Sequence, residues 1–106
     1  MRRPTKMTAI AALLAAGPAM AQDLPGDPYR GERLASDVCS ACHVIDPGEY
    51  GYSPAGAPSF QDLADNPELG PIALRVLLAT PHREMPDLIL DREETDNVVS
   101  YILSLK

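Results

Sequence analysis

Both cysteines of the chain and one of its two histidines fall within five consecutive residues, Cys39-Ser40-Ala41-Cys42-His43. Thiols three positions apart can each form a thioether to a vinyl group of one porphyrin. An imidazole in the next position then lies close under the iron, and C-x-x-C-H is the attachment signature of a c-type haem. Two other chemistries use paired cysteines. A redox dithiol of the thioredoxin kind expects a strand rich in β-branched residues nearby, and none precedes Cys39. A closed zinc site needs four ligands, and beyond the motif the only further soft ligands past residue 21 are His82 and the sulfur of Met85. One covalent haem c, anchored by Cys39 and Cys42 with His43 as an axial iron ligand, is the reading that uses the whole motif.

Such an iron has a sixth position to fill, leave open or give to a substrate. Met1, Met7 and Met20 all stand within the first 21 residues, so Met85 is the only methionine after them. It follows His43 by 42 positions and is itself followed by Pro86, whose fixed φ stiffens the segment. A methionine is also an ordinary core filler. Beside an expected haem, Met85 is the candidate second axial ligand, and His82, three residues earlier, is its competitor.

The elements that must position these groups are short and helical. Residues 1–21 read as a secretory signal peptide, with Arg2, Arg3 and Lys6 ahead of an apolar run from Met7 to Ala16 and an Ala19-Met20-Ala21 cleavage site. The run is too short to span a bilayer, so no membrane insertion is expected after cleavage. The second segment, 22–106, is one small domain for which a haem supplies the apolar centre that so short a chain lacks. It keeps six basic against fifteen acidic residues, a net of −9. That balance disfavours nucleic acid and anionic membranes as partners and favours a neutral or basic docking site.

A short polar arm, 22–26, precedes Asp27-Pro28, a cap followed by a proline at the first helical position; a helix is expected from Pro28 to about Val38. Ile45 to Ser59 holds three prolines and three glycines and reads as loop. Ser59 caps a short helix ending near Asn66, another helix runs from Pro71 to before Pro81, and a capping box at Asp91–Glu94 opens the last. No segment alternates with period two. The expected fold is all-α, about four short helices around one haem.

Gly31 eight positions before Cys39, the haem motif, Pro58 in Gly56-Ala57-Pro58, Met85-Pro86 and Tyr101 together resemble a class I (mitochondrial-type) monohaem cytochrome c, of the short bacterial periplasmic kind. The resemblance covers the whole of 22–106. It implies that Gly31 lets the first and last helices cross closely, against Val98 and Tyr101. It implies that the Pro58 carbonyl accepts a hydrogen bond from His43, with Pro54 the lesser candidate, and that Met85 is the distal ligand. There are departures. Ala35 stands where the family usually has an aromatic residue, so a looser crossing is expected. The tryptophan that often binds a propionate is missing, leaving Tyr50, Tyr52 and Arg83 as substitutes, and no lysine cluster marks a partner surface.

The implied function is single-electron carriage in the periplasm, not enzymatic turnover. Its redox partners would be a donor dehydrogenase or quinol-oxidising complex on one side and a terminal acceptor on the other. Two alternatives stay open: a haem protein with an open or labile sixth site for ligand binding or catalysis, and a cytochrome subunit of a dehydrogenase complex.

Overall fold

Helices begin where the sequence offers a cap. The computed structural model describes residues 24–80, 85 and 88–106, with isolated positions 4, 12, 15 and 17 before them. Apart from those positions the expected leader lies outside the described residues, as do His82, Arg83 and Pro86. Helix α1 spans Pro28–Asp37, with Asp27 accepting from the amides of Tyr29 and Arg30. Helix α2 spans Phe60–Asp65 and is capped by Ser59; α3 spans Pro71–Ala79 behind a proline at its first position. Helix α4, Arg92–Ser104, opens on a complete capping box between Asp91 and Glu94. Among the described residues the only β-pairing is an isolated bridge between Tyr52 and Pro58, so the fold is all-α. No helix among them is long and apolar enough to cross a membrane.

Helices α1 and α4 cross at Gly31, whose missing side chain lets the Asn97 carbonyl and the Tyr101 Cβ approach. Tyr101 is an expected neighbour, and the Asn97 carbonyl makes the nearest approach. The looser crossing expected from Ala35 does not form, since Ala35, Val98 and Val99 are all completely buried. Burial of Val98 and Val99 contributes roughly 1.5–3 kcal/mol each, more than the exposed Arg30–Glu93 pair between the same helices, worth about 0–1 kcal/mol. Arg75 Nε lies 2.8 Å from Asp96 Oδ1 and ties α3 to α4 in a more sheltered setting.

The polar arm before α1 is not a free tail where it is described. Asp27 N donates to Asn97 Oδ1 at 2.7 Å and Ser100 Oγ donates to the Pro25 carbonyl at 3.1 Å. Gly26 sits at φ +124° over α4, where a side chain would meet the Asp96 backbone and the Ser100 hydroxyl. These bonds explain why Asn97 and Ser100 are buried polar residues: their hydrogen-bonding capacity is met by a segment about seventy residues away. Gln61 does a similar job at the other end of α4. It accepts from Gly48 N at 2.8 Å and donates to the Leu105 carbonyl at 2.7 Å.

Candidate functional site

The haem motif folds as a single helical turn. A 3₁₀ turn at Cys39–Ala41 follows α1, and the amides of Cys42 and His43 both donate to the Cys39 carbonyl, at 3.1 and 2.9 Å. Positions i, i+3 and i+4 share one face of such a turn, so Cys39, Cys42 and His43 are presented together. Both thiols are free. Burial pushes the Cys39 thiol pKa up, the opposite of what a nucleophilic redox thiolate requires.

The segment from Gly51 to Ser59, expected to be irregular, contains a miniature hairpin. Gly56 N donates to Ser53 O at 2.8 Å to close the turn, and Ser53 N donates to Ala57 O at 2.9 Å. Gly56 takes φ +81°, a conformation that favours glycine. The hairpin delivers the Pro58 carbonyl to His43 Nδ1 at 2.7 Å. A carbonyl only accepts, so Nδ1 carries a proton, and in the neutral ring Nε2 is the nitrogen with the lone pair. The Phe60 ring flanks the imidazole at 5.5 Å between centroids, and Tyr101 stands behind Phe60 at 6.2 Å. The Tyr101 hydroxyl donates to the Ile45 carbonyl at 2.6 Å, joining α4 to the chain just past the motif.

Cys39, Cys42, His43, Pro58 and Met85 all line one cavity of about 440 Å³. The cavity is thus within the roughly 300–1,000 Å³ usual for cofactor sites. The rest of its wall is almost entirely apolar, with Leu63 from α2, Leu74 and Leu78 from α3, Leu88 from the segment before α4 and Ile102 from α4. A slot of this kind, with two thiols and an imidazole at its wall and a thioether elsewhere on it, fits a porphyrin in donor chemistry and in polarity. Among the described residues no group of three or more His, Cys, Asp or Glu is arranged to hold a bare metal ion. Of the expected propionate donors, Tyr50 gives its hydroxyl to Asp65 at 3.0 Å, while Tyr52 is largely exposed.

Some residues of the wall and its support were not singled out by sequence. Phe60, the brace against His43, reads only as the first residue of a capped helix, and Ser53 reads only as loop. A spacing signal existed for Phe60, two residues after Pro58 at a helix start; none existed for Ser53.

The cytochrome c family profile matches residues 29–106. The chain is 34% identical over 97 residues to cytochrome c-552 of Bradyrhizobium diazoefficiens, an alignment that covers 92% of each chain. No solved structure gives a significant match. The motif, the apolar slot and these likenesses agree: the chain belongs to the cytochrome c family, with a covalently bound haem c as cofactor and electron carriage as its function.

Proposed function

We propose that the protein is a periplasmic carrier of single electrons whose haem iron is ligated by His43 and Met85. Cys39 and Cys42 would hold the porphyrin through thioethers, and residues 1–21 would be removed after export. The observation that carries this reading is that His43, with Nδ1 occupied by Pro58 O and Nε2 free, shares one apolar cavity with Met85. Bound haem supplies one-electron chemistry, its iron alternating between ferric and ferrous.

The chain's own residues set the terms of that exchange. The bond to Pro58 fixes the His43 tautomer and raises the basicity of Nε2. The thioether of Met85 is a soft donor that favours the ferrous state and so raises the potential. Leu74, Phe60 and Ile102, all nearly fully buried, keep water from the cavity and disfavour the extra positive charge of the ferric state. His43 and Met85 would hold the iron between them and leave no place on it for a substrate, which suits a carrier. The acidic balance of 22–106 suits a neutral or basic docking site on a donor dehydrogenase, a quinol-oxidising complex or a terminal acceptor.

The test is an optical spectrum of the purified holoprotein, ferric and ferrous, with and without carbon monoxide. A low-spin spectrum with the ferric sulfur-to-iron charge-transfer band, unmoved by carbon monoxide, is expected. Prompt carbon monoxide binding or a high-spin ferric form would replace this reading with a ligand-binding or catalytic one. Mass spectrometry of the exported protein tests the cleavage: a chain starting at Gln22 is expected.

A further inference from the structure

We propose that Ser53 is a positioning residue for the His43 imidazole, acting through the hairpin that carries Pro58; the proposal rests on His43 being an iron ligand. Three consecutive residues of the motif segment are each bonded to the hairpin or its continuation. The Cys42 carbonyl accepts from Ser53 Oγ, His43 Nδ1 donates to Pro58 O at 2.7 Å, and the Val44 carbonyl accepts from Phe60 N at 2.9 Å. Ser53 supplies the only side-chain hydroxyl among these contacts.

The same oxygen does a second job. Ser53 Oγ accepts from Ala57 N at 3.4 Å, a long contact one residue before Pro58. The bonds therefore close on themselves, from Cys42 to Ser53, across to Ala57 and Pro58, and back to His43, the neighbour of Cys42. Backbone bonds alone hold the far side of the hairpin, at Ser53 N to Ala57 O and Ser59 N to Gly51 O, both 2.9 Å, and neither reaches the motif. Without the hydroxyl the hairpin keeps its own turn but loses its first attachment to Cys42. It can then tilt about the Phe60–Val44 bond, and the Pro58 carbonyl moves relative to Nδ1.

The sign of the effect follows from the chemistry of the imidazole. A well-made bond from Nδ1 raises the basicity of the ring and favours the ferric state. Loosening it makes the ring a poorer donor, so the reduction potential rises. The Nδ1 proton also becomes easier to exchange with water, by roughly fivefold, the factor that corresponds to losing one ordinary hydrogen bond.

The experiment uses the full holoprotein, with potentiometry and NMR measurement of the His43 Nδ1 proton exchange for wild type, Ser53→Ala and Ser53→Thr. A raised potential and faster exchange are expected in Ser53→Ala, with both restored towards wild type in Ser53→Thr. A wild-type potential and exchange rate in Ser53→Ala would overturn the proposal. Should Ser53→Ala not accumulate as holoprotein, Ser53→Val against Ser53→Thr makes the same comparison at equal shape. Equal departures in that pair would assign the effect to bulk and overturn the proposal as well. Failure of the ligation reading is separately visible, because wild type itself would then lack the iron-shifted ring signals of a ligated His43, and the Ser53 proposal falls with it.

Discussion

Gly31→Ala is expected to force α1 away from α4. A Cβ at Gly31 lies inside the van der Waals shell of the Asn97 carbonyl oxygen, 2.5 Å from the Asn97 carbonyl carbon and 2.8 Å from the Tyr101 Cβ. Those are backbone and Cβ atoms, which no rotamer change can move. The helices must therefore separate by roughly 1.5 Å to restore ordinary contact, and overpacking of this kind costs roughly 1–3 kcal/mol. The upper half applies here, because the lift also loosens Ala35, Val98 and Val99, which have no accessible surface to lose. Alanine's better helix propensity gives back about 1 kcal/mol at most. A net loss of about 2 kcal/mol remains, a large share of the roughly 5–10 kcal/mol that a domain of this size possesses. In thermal terms that is a fall on the order of 10 °C.

The assay is guanidinium and thermal unfolding of the holoprotein, followed by far-ultraviolet circular dichroism and by haem absorbance. Gly70→Ser serves as the contrast: nothing lies within 4 Å of a Cβ at Gly70, the N-cap of α3, which has no side-chain capping bond. A serine there should be neutral or slightly stabilising. If Gly31→Ala loses no more stability than Gly70→Ser, the two helices do not meet at residue 31 and the packing argument fails.

Three further outcomes are expected. Met85→Ala should lower the reduction potential and let carbon monoxide bind the ferrous protein; an unchanged potential and spectrum would remove Met85 as a ligand. Cys39→Ser or Cys42→Ser should sharply reduce the yield of holoprotein, measured as haem that survives acid–acetone extraction, and normal covalent loading in the double variant would exclude thioether anchoring. Tyr101 gives a pH dependence: burial first, then the carboxylates of Glu32 and Asp46, hold its phenol above the ordinary value of 10.0. The folded state thus binds that proton more tightly than the unfolded chain does, so its contribution is whole below pH 10 and is lost as pH climbs through the raised value. Tyr101→Phe should lose about 1 kcal/mol at neutral pH, with the bond to Ile45 O, and should show a shallower decline between pH 10 and 12. Parallel stability curves for the two proteins would refute the assignment.

What was legible in the sequence is what is chemically local or chemically scarce. Cys39, Cys42 and His43 announce themselves because one helical turn suffices to bring them together. Met85 stands out because 22–106 has no other methionine. Helix starts at Asp27, Ser59 and Asp91 were readable because a cap bonds amides two or three residues away, a distance that a sequence shows directly. The bracing of the site is a different matter. Asn97 and Ser100 carry no sequence signal of burial, yet they are buried because the arm before α1 satisfies them. Gln61 reads only as part of a short capped helix and is buried between Gly48 and Leu105. Ser53 carries no periodic signal, since its hairpin has a single bridge and is too short to alternate.

These three cases share a physical cause. A buried polar side chain is tolerated only when distant backbone meets its hydrogen bonds, and the identity of that backbone is fixed by the tertiary fold rather than by neighbours in sequence. The candidate ligands can therefore be picked out from the chain, whereas the groups that hold them in place are set by long-range closure. In this molecule the closure passes through a polar network: Ser53 to Cys42, Pro58 to His43 and Tyr101 to Ile45. Two of the three bonds end on the backbone of Cys42 or Ile45, on either side of His43. Tuning by substitution should follow the same division: changes at Cys39, Cys42 or His43 alter whether an electron can be held, and Met85→Ala shifts the potential by removing a donor outright. Changes at Ser53 or Tyr101 alter at what potential and over what range of pH.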